Sequence, residues 1–140
     1  MIFFGQRALT LDDFSDILFR EKEVALDESA LEKVNTNFRF LQNFSADKFI
    51  YGINTGLGPM AQYKVSEENL LQLQYNLIRS HCSGSGKLLP AFLTKALMIA
   101  RLNSLMQAYS GVHTDVVELL RELHFFYFFS SHVFNMRTYP

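Results

Sequence analysis

Five stretches of this chain repeat apolar side chains every three or four residues, and between the second and third the repeat stops for sixteen residues, Lys48 to Tyr63. Such a repeat lines one face of a helix, whereas the alternation expected of a half-buried strand is confined to short pieces. The expected fold is therefore mainly α, with short β segments and one irregular loop. Thr10 caps the first helix, with Asp12 and Asp13 in its opening turn and Leu11, Phe14, Ile17 and Leu18 on one face as far as Arg20. Glu23 to Leu26 is a short extended candidate. Ser29 and Glu32 form a capping-box pattern for a second helix, with Leu31, Val34, Phe38 and Leu41 as its stripe, running to about Phe44. Ser66 caps a third, which carries Leu70, Leu73, Leu77 and His81 and stops at Ser83-Gly84-Ser85-Gly86. From Pro90 a fourth, buried on much of its surface along Leu93, Leu97, Ala100, Ser104 and Ala108, closes at Tyr109-Ser110-Gly111. Thr114 caps the fifth, whose apolar residues are Val116, Val117, Leu119, Leu120 and Leu123.

A chain of 140 residues, 49% apolar and 19% charged, has material for one core and is not a disordered tail. A net charge of −1 supplies no field to gather nucleic acid or an anionic membrane, so neither is an expected partner. Cys82 has no second cysteine to pair with, and no Cys/His spacing matches a metal site, so no metal is expected. With no basic segment leading into an apolar run at the N-terminus, and no stretch of about 18 apolar residues, the expected location is cytoplasmic.

The irregular stretch holds three glycines in seven residues, Gly52, Gly56 and Gly58, followed by Pro59. Tyr51 opens it. A phenol titrates near about 10 in water, so to act as a base it needs a nearby positive charge or donors to its oxygen, which a loop of free amides supplies. The competing reading is a tyrosine that ends a strand with its ring in the core. Phosphate binding fits poorly, because the last glycine precedes a proline rather than the Lys-Ser/Thr of a P-loop. Ser80 and His81 reach the end of the third helix, where His81 by itself reads as a core histidine. Cys82 reads as a buried inert thiol or a nucleophile, and Arg101 as half of a structural ion pair or a carboxylate ligand. His113, His124 and His132 share no ligand spacing.

Three blocks together resemble the N-terminal part of the aromatic amino acid ammonia-lyases. They are Tyr51-Gly-Ile-Asn-Thr-Gly-Leu-Gly58, Leu73-Gln-Tyr-Asn-Leu-Ile-Arg-Ser-His81 with Ser83-Gly84, and Arg101-Leu-Asn-Ser104 with Tyr109-Ser-Gly111, in the family's order and spacing. The resemblance spans about residues 8–124. It implies the N-terminal domain of the fumarase/aspartase-like lyase fold and elimination of ammonia from histidine or tyrosine, giving urocanate or coumarate. It implies that Tyr51 takes the β-hydrogen, that Gly52, Asn54, Thr55, Gly56 and Gly58 belong to a mobile active-site loop, and that Ser80 and His81 contact the substrate ring. The family's electrophile is a methylidene-imidazolone made from an internal Ala-Ser-Gly, with no added cofactor, in a tetramer whose active sites draw on several subunits.

These 140 residues contain no Ala-Ser-Gly. In its place the last sixteen carry five phenylalanines, among them Phe125, Phe126, Phe128 and Phe129, and no acid, so residues 125–140 read as a divergent tail translated in a shifted frame. The expectation is an N-terminal fragment, residues 1–124, inactive alone and prone to aggregate through its charge-free aromatic window. The alternative is an assembly module that docks on a full-length lyase as part of a homo- or hetero-oligomer.

Overall fold

Thr10 closes the N-terminus of the first helix, α1 (Leu11–Phe19), in a full capping box, its hydroxyl accepting from Asp13 N while the Asp13 carboxylate accepts from Thr10 N. The computed structural model describes residues 1–125, leaving aside the side chains of Glu67, His124 and Phe125. The expectations for the aromatic tail and for His132 lie outside these residues.

Ahead of α1 runs β1 (Ile2–Phe4), which pairs in parallel with β2 (Val24–Leu26), Ile2 opposite Val24 and Phe4 opposite Leu26. Parallel neighbours need a crossover, and α1 provides it. Four helices follow: α2 (Glu28–Ser45), α3 (Glu67–His81), α4 (Ala91–Leu105) and α5 (Thr114–Phe125). A single 3-10 turn, Gly58–Met60, lies between α2 and α3. This is the mainly α fold with short β segments that the sequence predicts.

Residues 1–40 and 87–125 make one compact unit, and Leu41–Gly86 a second. In the first, α1 and α5 pack on α4, and α5 also meets β2. Phe4, Ile17, Val34, Ile99, Leu102 and Val117 are almost fully enclosed there. The chain crosses itself closely at Gly5, where a Cβ would collide with that of Ala30.

Several details differ from the sequence reading, and one is that Thr114 is the first residue of α5 rather than its cap, with His113 before it accepting from Asp115 N through Nδ1 at 3.3 Å. Leu11 is 88% exposed, because α1 turns Phe14, Ile17 and Leu18 inward and its first residue lies outside that arc. The cap of α2 is Asp27, not Ser29: its carboxylate accepts from Ala30 N at 3.0 Å and from the Ser29 hydroxyl. A carboxylate at a helix N-terminus also meets the positive end of the dipole, which favours it over a hydroxyl one turn too late. In α4 the buried face is Thr94, Ile99, Leu102 and Leu105, while Leu93, Leu97, Ala100 and Ser104 face outward. The helix ends at Leu105, and Ala108 lies beyond it at φ 62.

Candidate active site

In the second unit the buried residues, among those described, are Asn54, Thr55 and Gly56, so its centre is a polar loop rather than an apolar cluster. Asn54 explains how that is possible. Its Oδ1 accepts from Ile50 N at 2.8 Å, and its Nδ2 donates to Ser45 O and Lys48 O, both at 2.7 Å. Its main chain adds two more bonds, Asn54 N to Ile50 O at 3.2 Å and Val65 N to Asn54 O at 2.9 Å. One side chain thus ties the end of α2 and the turn at 50–54 together, and a buried amide with its donors and acceptor matched avoids the penalty of an unpaired one.

Thr55 is bridged to Lys64, and Gly56 N donates to Tyr63 O at 3.0 Å. The loop therefore doubles back on its own second half. Gly56 lies so close to Met60 that a Cβ would stand 2.6 Å from Met60 O, which leaves no room for another residue. Lys64 Nζ donates to Ala46 O at 3.1 Å, and Lys48 stacks its ammonium 3.3 Å from the centre of the Phe44 ring.

Tyr51 stands on the outside of this knot and is 64% exposed, so the reading of a strand-end tyrosine with its ring in the core is wrong. The residue sits in a turn, where side chains project outward instead of alternating into a sheet. The loop does offer its oxygen a donor: Gly58 N–H reaches Tyr51 Oη at 3.4 Å, long for a hydrogen bond. Gly58 itself adopts φ 56, a conformation open to glycine.

Ser80 and His81 end α3, followed by Cys82 as its C-cap. Both are exposed, which removes the core-histidine reading of His81. Ser80 Oγ donates to Leu77 O at 2.8 Å, and His81 Nδ1 lies 2.9 Å from the same oxygen and 3.0 Å from Ser80 Oγ. Among the described residues no hydrogen bond, ion pair or ring contact joins Tyr51 to Ser80 or His81, so the candidates form two local groups, the knot around 51–58 and the helix end at 80–81. Cys82 is an exposed thiol and Arg101 an exposed cation, so neither is the buried group its structural reading required. No group of three or more His, Cys, Asp or Glu among the described residues is placed to hold a metal ion, and no helix there is long and apolar enough to cross a membrane.

The sequence profile of the family described as aromatic amino acid lyase matches residues 9–124. The chain belongs to that family. Over 117 residues it is 38% identical to a histidine ammonia-lyase of Streptococcus pyogenes, a match that covers 83% of this chain and 23% of that protein. Two solved structures share the fold. Ergothionase from Treponema denticola, an ergothioneine-degrading enzyme, gives a TM-score of 0.82 at 23% identity over 88% of this chain and 25% of that one. The tyrosine aminomutase of Streptomyces globisporus gives 0.79 at 27% identity over 88% and 24%. This chain has the fold of the N-terminal part of such lyases and aminomutases, and it spans 23% to 25% of the length of these three relatives.

All the candidate residues lie inside the matched stretch of the lyase family. The group that reads most like the family's electrophile precursor, Cys82-Ser83-Gly84, is the exposed exit from α3 and lacks the alanine. The residues present therefore do not fit a methylidene-imidazolone. Two features of the site were not anticipated. Asn54 acts on its own backbone, with no side-chain group left over, and the Leu77 carbonyl organises the Ser80–His81 pair. The first has a sequence signal, an Asn amid glycines; the second is visible only as the position three and four residues earlier on the helix.

Proposed function

We propose that this chain is the N-terminal portion of an aromatic amino acid ammonia-lyase acting on histidine or tyrosine, and that alone it does not turn over. Tyr51 is its proton acceptor for the β-hydrogen, the knotted loop carries that phenol, and Ser80 and His81 meet the substrate ring. The observation that carries this reading is the exposed phenol of Tyr51, held out by a loop that sends an amide toward its oxygen, within a stretch matched by the family. A β C–H is weakly acidic, so a phenolate supported by a hydrogen-bond donor is an apt base. The electrophile must come from sequence these 140 residues do not contain.

The test is a hybrid in which residues 9–124 replace the matched part of the Streptococcus pyogenes histidine ammonia-lyase. The hybrid should form the unsaturated product, seen by its ultraviolet absorbance, while Tyr51→Phe in it should lose at least about 100-fold of the rate, the scale of a general base. The 140-residue chain alone should give no product. A hybrid indifferent to Tyr51→Phe, or turnover by the chain alone, refutes the proposal. One observation favours a docking role beside this one: Leu71, Tyr75 and Ile78 share an outer face of α3 and all are exposed. Co-elution with a full-length lyase would support that role.

A further inference from the structure

The helix α3 is apolar on two opposite sides. At about 100° per residue Leu70, Leu73 and Leu77 gather on one side, where they are half-buried. Leu71, Tyr75 and Ile78 gather on the other, where they are 67%, 50% and 59% exposed. A surface helix ordinarily buries one apolar stripe and turns polar residues outward, so a second apolar side is a surface that lacks its partner. The outer side also has the spacing of a helix–helix seam. Glu68, Leu71, Tyr75, Ile78 and Cys82 follow one another at steps of three, four, three and four, the pattern by which two helices interlock at a shallow crossing.

The charges along this seam choose its occupant. Glu68 stands in the first turn of α3 and Arg79 in the last, with the Arg79 guanidinium 5.7 Å from the centre of the Tyr75 ring. Two copies laid in the same direction set Glu68 against Glu68 and Arg79 against Arg79. Laid in opposite directions, with Leu71 of each over Tyr75 of the other, they bring Glu68 of each copy beside Arg79 of its counterpart. The side is thus complementary to itself in one orientation only, as a two-fold contact requires. We propose that the outer side of α3, Leu71, Tyr75 and Ile78 flanked by Glu68 and Arg79, binds the same side of a second copy of this chain in an antiparallel pair. The pairing needs no lyase chemistry, so it stands or falls apart from the proposed function.

Two triplets of half-exposed side chains make a small interface, so the expected dissociation constant is about 10–100 μM, read by sedimentation equilibrium of the 140-residue chain in reductant. Tyr75→Lys and Ile78→Lys leave the half-buried side untouched and should each weaken the pair about tenfold or more, with unchanged circular dichroism showing that the helix persists. Glu68→Lys places like charges together at both ends of an antiparallel pair and should weaken it about threefold, and adding Arg79→Glu should recover the loss. A parallel pair would be indifferent to Glu68→Lys alone. A nitroxide on Cys82, the sole cysteine, reads the direction by pulsed dipolar spectroscopy: antiparallel copies hold the two labels about 25–35 Å apart, parallel copies within about 15 Å. A chain that stays monomeric well above the expected constant overturns the inference, as do labels at the shorter distance. Self-association unmoved by Tyr75→Lys and Ile78→Lys, the result expected of contact through residues 125–140, also overturns it. Capture by a full-length lyase without any self-association gives the face to that partner and likewise overturns the pairing.

Discussion

Replacing Asn54 separates a loop held by one side chain from a loop held by its surroundings. In Asn54→Ala three bonds of 2.8, 2.7 and 2.7 Å disappear. At about 0.5–1.5 kcal/mol net for each, the upper range is about 4.5 kcal/mol; water reaching the freed carbonyls near exposed Lys48 brings the expected cost to about 2 kcal/mol. That loss is local and corresponds to about 30-fold faster exchange of the Ile50 amide, whose partner is the Asn54 Oδ1. Hydrogen exchange followed by NMR measures it directly, with Val65, which bonds to the Asn54 main chain, as the companion probe. Asn54→Asp is the sharper perturbation. It keeps the acceptor for Ile50 but points an anionic oxygen at two carbonyls 2.7 Å away, so at neutral pH it should cost more than alanine, about 3 kcal/mol or above. Those carbonyls raise the folded-state pKa of the introduced carboxyl above its unfolded value, so the penalty is absent below about pH 4 and grows as pH rises through the folded pKa. Unchanged Ile50 protection in Asn54→Ala, or an aspartate tolerated better than alanine at pH 7, would refute the view that this amide organises the loop.

Two further predictions concern fold and loop. Asp13 is held well below the usual carboxylate range by the Arg7 guanidinium, which donates at 2.6 and 2.8 Å, and then by Thr10 N–H; Asp16 is lowered by Lys22 and Arg20, and Asp27 by Ser29, Gln6 and Ala30 N–H. Depressed folded-state values give stability present above the unfolded pKa and lost as pH falls through the folded ones, so circular dichroism melts should hold near neutrality and decline below about pH 4. A melting temperature that rises on acidification contradicts this. Gly56→Ala must displace the Met60 backbone and should cost about 1–3 kcal/mol, seen as faster exchange of the Gly58–Lys64 amides; an unperturbed loop would mean that the close approach is not a constraint.

Helices were legible where their periodicity met a cap, as in α1, whose Thr10 and Asp13 announce themselves in sequence. The orientation of α4 was not, because its residues are apolar on nearly all sides and periodicity then cannot say which side meets the core. Leu93 and Leu97 were placed inward on spacing alone, whereas packing on α1 and α5 turned Ile99 and Leu102 in. β1 was missed because three residues carry no period, and its partner lies beyond α1 in the chain. In the site, the glycines and Tyr51 stood out as a loop. An Asn amid glycines marks Asn54 as a turn residue, but which groups it pins was hidden, since the carbonyls it satisfies belong to no residue type.

The thiol of Cys82 gives the helix end an experimental handle. It is the sole cysteine, exposed, and one residue beyond His81. A maleimide dye would attach at one known place and report, by quenching or energy transfer, on anything that settles over Ser80 and His81. An exposed thiol is also open to intermolecular oxidation, so a dimer that disappears on adding reductant reflects that one bond and not assembly.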